Sequence, residues 1–123
     1  MKLFLFLAGA FGFLSVSIGA FGAHALKDKL TPEMLEINHT GAQYQMYHSL
    51  ALLAVALLLK FYPDSKFFNA SGWLFVAGII IFSGSLYALS LTGIRTLGAI
   101  TPIGGLCFLG GWVCILIGAW KVS

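Results

Sequence analysis

The chain has 123 residues, 59% of them apolar and only 9% charged, with a net charge of +3. A soluble domain is about 45–50% apolar and about 25% charged, so an ordinary water-soluble globule is excluded. The positive excess is small and scattered over loop ends without a basic stripe, which excludes nucleic acid as a partner.

Four stretches, residues 3–26, 37–59, 67–94 and 96–120, contain no Asp, Glu, Lys or Arg. A hydrocarbon core of about 30 Å takes about 20 helical residues to cross, so each stretch is long enough. In lipid every backbone group must bond internally, which leaves helices or a closed barrel. Barrel strands alternate in polarity. Residues 51–59 are apolar on every face, the pattern of a helix in lipid. The expected fold is an all-α integral membrane four-helix bundle, a single domain of two helical hairpins. Its spans are expected near residues 3–25, 42–60, 70–91 and 98–120.

The first helix has a charged start at Lys2 and a small-x-small tripeptide, Ala23-His24-Ala25, so it has some marks of a secretory signal. Its apolar run is longer than a signal core and three more spans follow, so it is expected to remain as a span. Ala8, Gly12, Ser15, Gly19 and Gly22 recur at spacings of 4, 3, 4 and 3 and form one seam. Lipid tails are as apolar as leucine, so helices associate through such seams, where backbones approach closely.

The first connection ends in a helix start. Thr31 is a hydroxyl N-cap, Pro32 occupies the first position, and Glu33 lies beside the positive dipole end. A short interfacial helix is expected from Pro32, bending at Gly41 into the second span. That span opens on the most polar membrane segment of the chain, Gln43 to Ser49. Tyr44, Gln45 and His48 are three and four residues apart and share a face.

Pro63 stops the second helix. The third carries Gly78, Ser83, Gly84, Ser85 and Tyr87. Arg95 is the one charge between Phe67 and Trp120. At mid-membrane it would cost about 2.5–3.5 kcal/mol, and Gly93, Gly98 and Pro102 bracket it as breakers. It therefore marks a surface turn.

The fourth helix carries a second seam, Gly104, Cys107, Gly111, Cys114 and Gly118, spaced 3, 4, 3 and 4. Two seams on the first and last helices predict direct contact between them, closing the bundle; the rival is a homodimer through one seam. Cys107 and Cys114 lie about 10 Å apart along the axis and cannot bridge within the helix. They read as small packing residues, with a thiol pair across subunits as the alternative.

Four crossings put Lys2, Lys60, Lys66 and Lys121 on one side and Lys27, Lys29 and Arg95 on the other. This bias favours cytoplasmic termini, with dual insertion as the rival. Phe61, Tyr62, Trp73 and Trp120 form an aromatic belt on the termini side. The polar residues within the spans gather on the opposite side: His24, Tyr44, Gln45, His48, Ser85, Tyr87, Ser90 and Thr101. His48 and Tyr87 sit at matching depths, about 6–9 Å inside their helices, where a buried polar group needs a partner. One reading makes this cluster a ligand or proton site; the other makes it interhelical glue. No metal-ligand spacing is present and no metal or other cofactor is expected. No carboxylate lies in a span to orient a histidine, and no nucleophile elbow occurs, so no catalytic residue is assigned.

Three blocks, Gly19 to Lys27, Tyr44 to Ala51 and Thr101 to Gly105, together resemble the small bacterial membrane-protein family catalogued as domain of unknown function number 423, with its YwdK-like and YgdD-like members. The resemblance covers nearly the whole chain. It implies a four-helix protein of the bacterial inner (cell) membrane and carries no known reaction, ligand or site residue. The expected function is therefore a non-catalytic packing, assembly or accessory module in the lipid bilayer, with a homo-oligomer or another membrane protein as partner. The alternative is a small transporter or channel component built on His24, Gln45, His48 and Tyr87.

Overall fold

The computed structural model describes residues 2–122. Its elements are α1 (Lys2–His24), α2 (Pro32–Phe61), α3 (Lys66–Gly78), a π-helical turn (Ile79–Ser83), α4 (Gly84–Thr92), a 3-10 turn (Arg95–Ala99) and α5 (Thr101–Val122). The segment from α3 through α4 is one rod, so four helices are long and apolar enough to cross a membrane. The all-α four-helix architecture expected from the apolar runs is the one observed.

Local chemistry sets the ends. The Met34 amide donates to Thr31 Oγ1 at 3.2 Å, with Pro32 and Glu33 in the first turn of α2. The Phe68 amide donates to Ser65 Oγ at 3.2 Å and starts α3. Gly93 closes α4 at φ 73°, the left-handed region that a side chain would strain. Arg95 follows in the surface turn and grips Glu33 with two nitrogens, at 2.9 and 3.3 Å.

The helix expected to begin at Pro32 begins there, but it is neither separate nor bent. α2 runs unbroken through Gly41 to Phe61. At Gly41 the Ser83 hydroxyl donates to the carbonyl at 2.7 Å, and the Tyr87 ring and Leu86 occupy the space a side chain would take. The glycine serves close packing of α4, not a hinge.

The bundle is layered around two inner elements. α2 and the α3–α4 rod pack together; α1 lies on α2, and α5 lies mainly on α3 and the π turn. The core between them holds Phe4, Leu52, Val55, Ala56, Phe68, Phe75, Ile79 and Phe108. α1 and α5 do not form a packed pair, so the expected closure of the first helix on the last is corrected. Both seams find inner partners instead.

On α1, Ala8, Ser15 and Gly22 are buried and Gly12 and Gly19 half-buried, with Gly19 facing Ala42 and Gly22 facing Asn38. On α5, Gly104, Gly111 and Gly118 take the backbone and Cβ of Phe82, the Phe75 ring and the Phe68 ring respectively. Both sets recur every seven residues and run in opposite directions, so the Phe68 and Phe75 rings meet glycine holes and the Phe82 backbone comes close at the third glycine. Phe108 returns the arrangement by filling the space above Gly78. Cys107 and Cys114 are half-buried thiols beside this track and do not carry it.

The π turn falls on Ile79-Ile80-Ile81, three β-branched residues that crowd the preceding turn. It inserts a phase change. Phe68 and Phe75 before it and Phe82 within it face α5; Leu86, Tyr87 and Ser90 after it face α2.

Candidate polar site in the helix bundle

Side chains in the spans cannot bond to water, so each polar atom must find a neighbour. Gln45 is 3% exposed and does this twice. Its Nε2–H donates to the Phe11 carbonyl of α1 at 2.8 Å, and its Oε1 accepts from the Tyr87 hydroxyl of α4 at 2.6 Å. One glutamine thus joins three helices. Ser15 donates to the Ala42 carbonyl at 2.6 Å, next to that contact. One turn towards the loops, Asn38 Nδ2–H donates to Ser90 Oγ at 3.1 Å, and Ser90 in turn donates to the Tyr87 carbonyl.

His48 looks elsewhere. Its Nδ1–H donates to the Tyr44 carbonyl at 2.8 Å, and its Nε2 accepts from the Trp112 indole at 3.1 Å. The ring stacks on Phe108 with centroids 3.6 Å apart and 9° between planes. A single neutral tautomer satisfies both nitrogens. A second ring proton would place an N–H against the indole N–H, so the arrangement suits a fixed partner and not a proton carrier.

The expected cluster is therefore two groups. Successive residues turn by about 100° on a helix, so Gln45 faces α1 and α4, whereas Tyr44 and His48 face Phe82, Phe108 and Trp112. Gln45 and Tyr87 are brought together directly. Thr101 stands apart from both, sharing a hydrogen bond with Ser85 across the α4–α5 turn. His24 ends α1 exposed and joins none of these contacts. The sequence argument missed Trp112, Phe108 and Asn38 as partners; an indole and a carboxamide in otherwise apolar helices were the available signals.

Among the described residues no buried side-chain nitrogen or oxygen lacks a hydrogen-bond partner, and no three His, Cys, Asp or Glu side chains gather where they could hold a metal. The chemistry in view is neutral hydrogen bonding between helices. Beside His48 lies a groove of about 530 Å³ lined by Tyr44, Phe82, Pro102, Phe108 and Trp112.

These features define a multispanning helical membrane protein whose polar side chains cross-link its helices. Residues 18–105 match the family described as "Protein of unknown function (DUF423)", and the chain belongs to that family. It is 47% identical over 121 residues to the UPF0382 membrane protein YwdK of Bacillus subtilis, covering 98% of each chain. A UPF0382 membrane protein of Staphylococcus saprophyticus is 46% identical over 122 residues, covering 99% of this chain and all of the relative. One from Staphylococcus aureus is 46% identical over 123 residues, covering all of this chain and 99% of the relative. No solved structure matches the chain.

Proposed function

We propose that this protein is a non-catalytic packing or assembly module of the bacterial inner membrane, with its termini in the cytoplasm. One observation carries the reading: the buried polar atoms of the described spans are engaged within the bundle, mostly across helix interfaces. A catalytic or transport site needs polar groups left available to a substrate, and here the hydrogen bonds between helices take up these groups. The partner is another membrane protein or a second copy. Crosslinking in cells followed by native mass spectrometry in mild detergent tests this. A protein species retained at fixed stoichiometry is the expected result; a strict monomer with no co-purifying protein counts against it.

The groove beside His48 supports the second reading, a small transporter or channel component. It requires loss of flux in reconstituted vesicles on His48→Ala with the fold intact. Unchanged flux removes it.

A further inference from the structure

The two ends of the bundle carry very different charge. At the termini end stand Lys2, Lys60, Lys66 and Lys121 against Asp64 alone, a net of +3; at the other end Lys27, Lys29 and Arg95 face Asp28, Glu33 and Glu36, a net of zero. The contacts confirm that these residues share ends. Lys121 lies over the Phe67 ring, with Nζ 5.7 Å from its centroid, while Arg95 is paired to Glu33. The net charge of the whole chain thus sits on one face.

On that face the α2–α3 turn and the end of α5 enclose an open groove of about 570 Å³. Lys66 and Lys121 supply its cationic groups against the single carboxylate of Asp64, a net of +1; Ser65 adds a hydroxyl, and Phe61, Tyr62 and Phe67 an apolar wall. Among the described residues neither lysine is in an ion pair. The groove lies beside exposed Phe61, Tyr62 and Trp120, part of the aromatic belt expected at the headgroup region. A phosphate flanked by acyl chains matches this combination, because basic groups at the membrane surface attract anionic headgroups while the aromatic wall receives the first methylenes.

We infer that the groove between the Phe61–Phe67 turn and Lys121 is a docking site for the headgroup of an anionic phospholipid, held by Lys66 and Lys121.

Native mass spectrometry of the full chain in detergent tests this, with titration of dioleoyl phosphatidylglycerol against dioleoyl phosphatidylcholine. The wild type is expected to retain the anionic lipid preferentially. Lys66→Gln with Lys121→Gln is expected to weaken that retention by roughly fivefold per lysine. Lys66→Arg with Lys121→Arg keeps the charge and is expected to preserve it. Lys27→Gln with Lys29→Gln makes the same charge change at the other end and is expected to leave it unaltered. Circular dichroism of each variant confirms the helical fold. Equal retention of both lipids overturns the proposal. So does an equal loss in both glutamine pairs, which would mean diffuse attraction. Displacement of the lipid by millimolar inorganic phosphate also overturns it, because the site would then be a simple anion site.

Discussion

The α3–α5 and α1–α2 interfaces solve one problem in two ways. Lipid gives helices little reason to leave it, so contact must come from close fit or from polar bonds. Between α3 with its π turn and α5 the fit is steric: the Phe68 and Phe75 rings seat on Gly118 and Gly111, and the Phe82 backbone lies against Gly104. Between α1 and α2 it is a small seam fastened by Ser15 on the Ala42 carbonyl and Gln45 on the Phe11 carbonyl. The first interface tolerates no added volume. The second tolerates some, because side-chain ends can shift, but it depends on its donors.

The sharpest way to break the contrast is at Gly104. A Cβ there would meet the Phe82 backbone, which cannot move aside as a side-chain tip can. Gly104→Val is expected to cost at least the upper part of the ~1–3 kcal/mol typical of overpacking, read as lost stability in reversible unfolding in micelles. The neighbouring Gly105→Ala, with open space around its Cβ position, should leave the midpoint unchanged. At the other interface Gly22→Ala meets only the Asn38 Oδ1 tip at 2.9 Å and should cost clearly less than Gly104→Val.

Next in size is Gln45→Leu, which removes both of its interhelical bonds and leaves the Tyr87 hydroxyl without its acceptor. About 1–3 kcal/mol is expected. A double-mutant cycle with Tyr87→Phe should return a coupling of about 0.6–1.7 kcal/mol; a coupling of zero would remove this bond from the account. Trp112→Phe keeps the aromatic wall but takes the donor from His48 Nε2, and about 1 kcal/mol is expected in the same unfolding assay.

The smallest effect belongs to Glu33→Gln at the loop end. Arg95, by hydrogen bond and then by charge, holds the Glu33 carboxyl below its usual value, and Glu33 holds the Arg95 guanidinium above its own. A lowered carboxylate stabilises the fold above its unfolded value, and that contribution is lost only as pH falls through the folded one. The raised arginine contributes at every pH below its unfolded range. Stability should therefore be flat from neutral pH down to the ordinary carboxylate range, with any loss from this pair appearing below it. The pair is fully exposed and screened, so Glu33→Gln at neutral pH should fall within the error of the assay.

The spans, the Thr31-Pro32-Glu33 helix start and the Arg95 turn were legible in the sequence because each depends on nearby residues: apolar length, a cap, a breaker. The partners of the seams were not. A run of small residues says that something approaches, not what, and pairing the two seams with each other overlooked the heptad of Phe68, Phe75 and Phe82. Gln45 and Tyr87 meet in one hydrogen bond, but helical phase turns Tyr44 and His48 to another face, so the expected cluster is divided. Ser83, Tyr87 and Ser90 share one face by ideal helical spacing, as do Asn38, Gly41 and Gln45, but spacing within each helix does not say that these two faces meet.

The central claim is that the polar side chains within the spans are held by neighbouring helices and closed to water. Hydrogen exchange by nuclear magnetic resonance, on protein reconstituted in bicelles, reads this directly. The Gln45 carboxamide and the His48 Nδ1 proton are expected to exchange as slowly as the α2 backbone amides beside them, while exposed His39, before the span, exchanges freely. Exchange of Gln45 and His48 at the rate of His39 would mean a water-accessible path through the bundle, and would contradict the account.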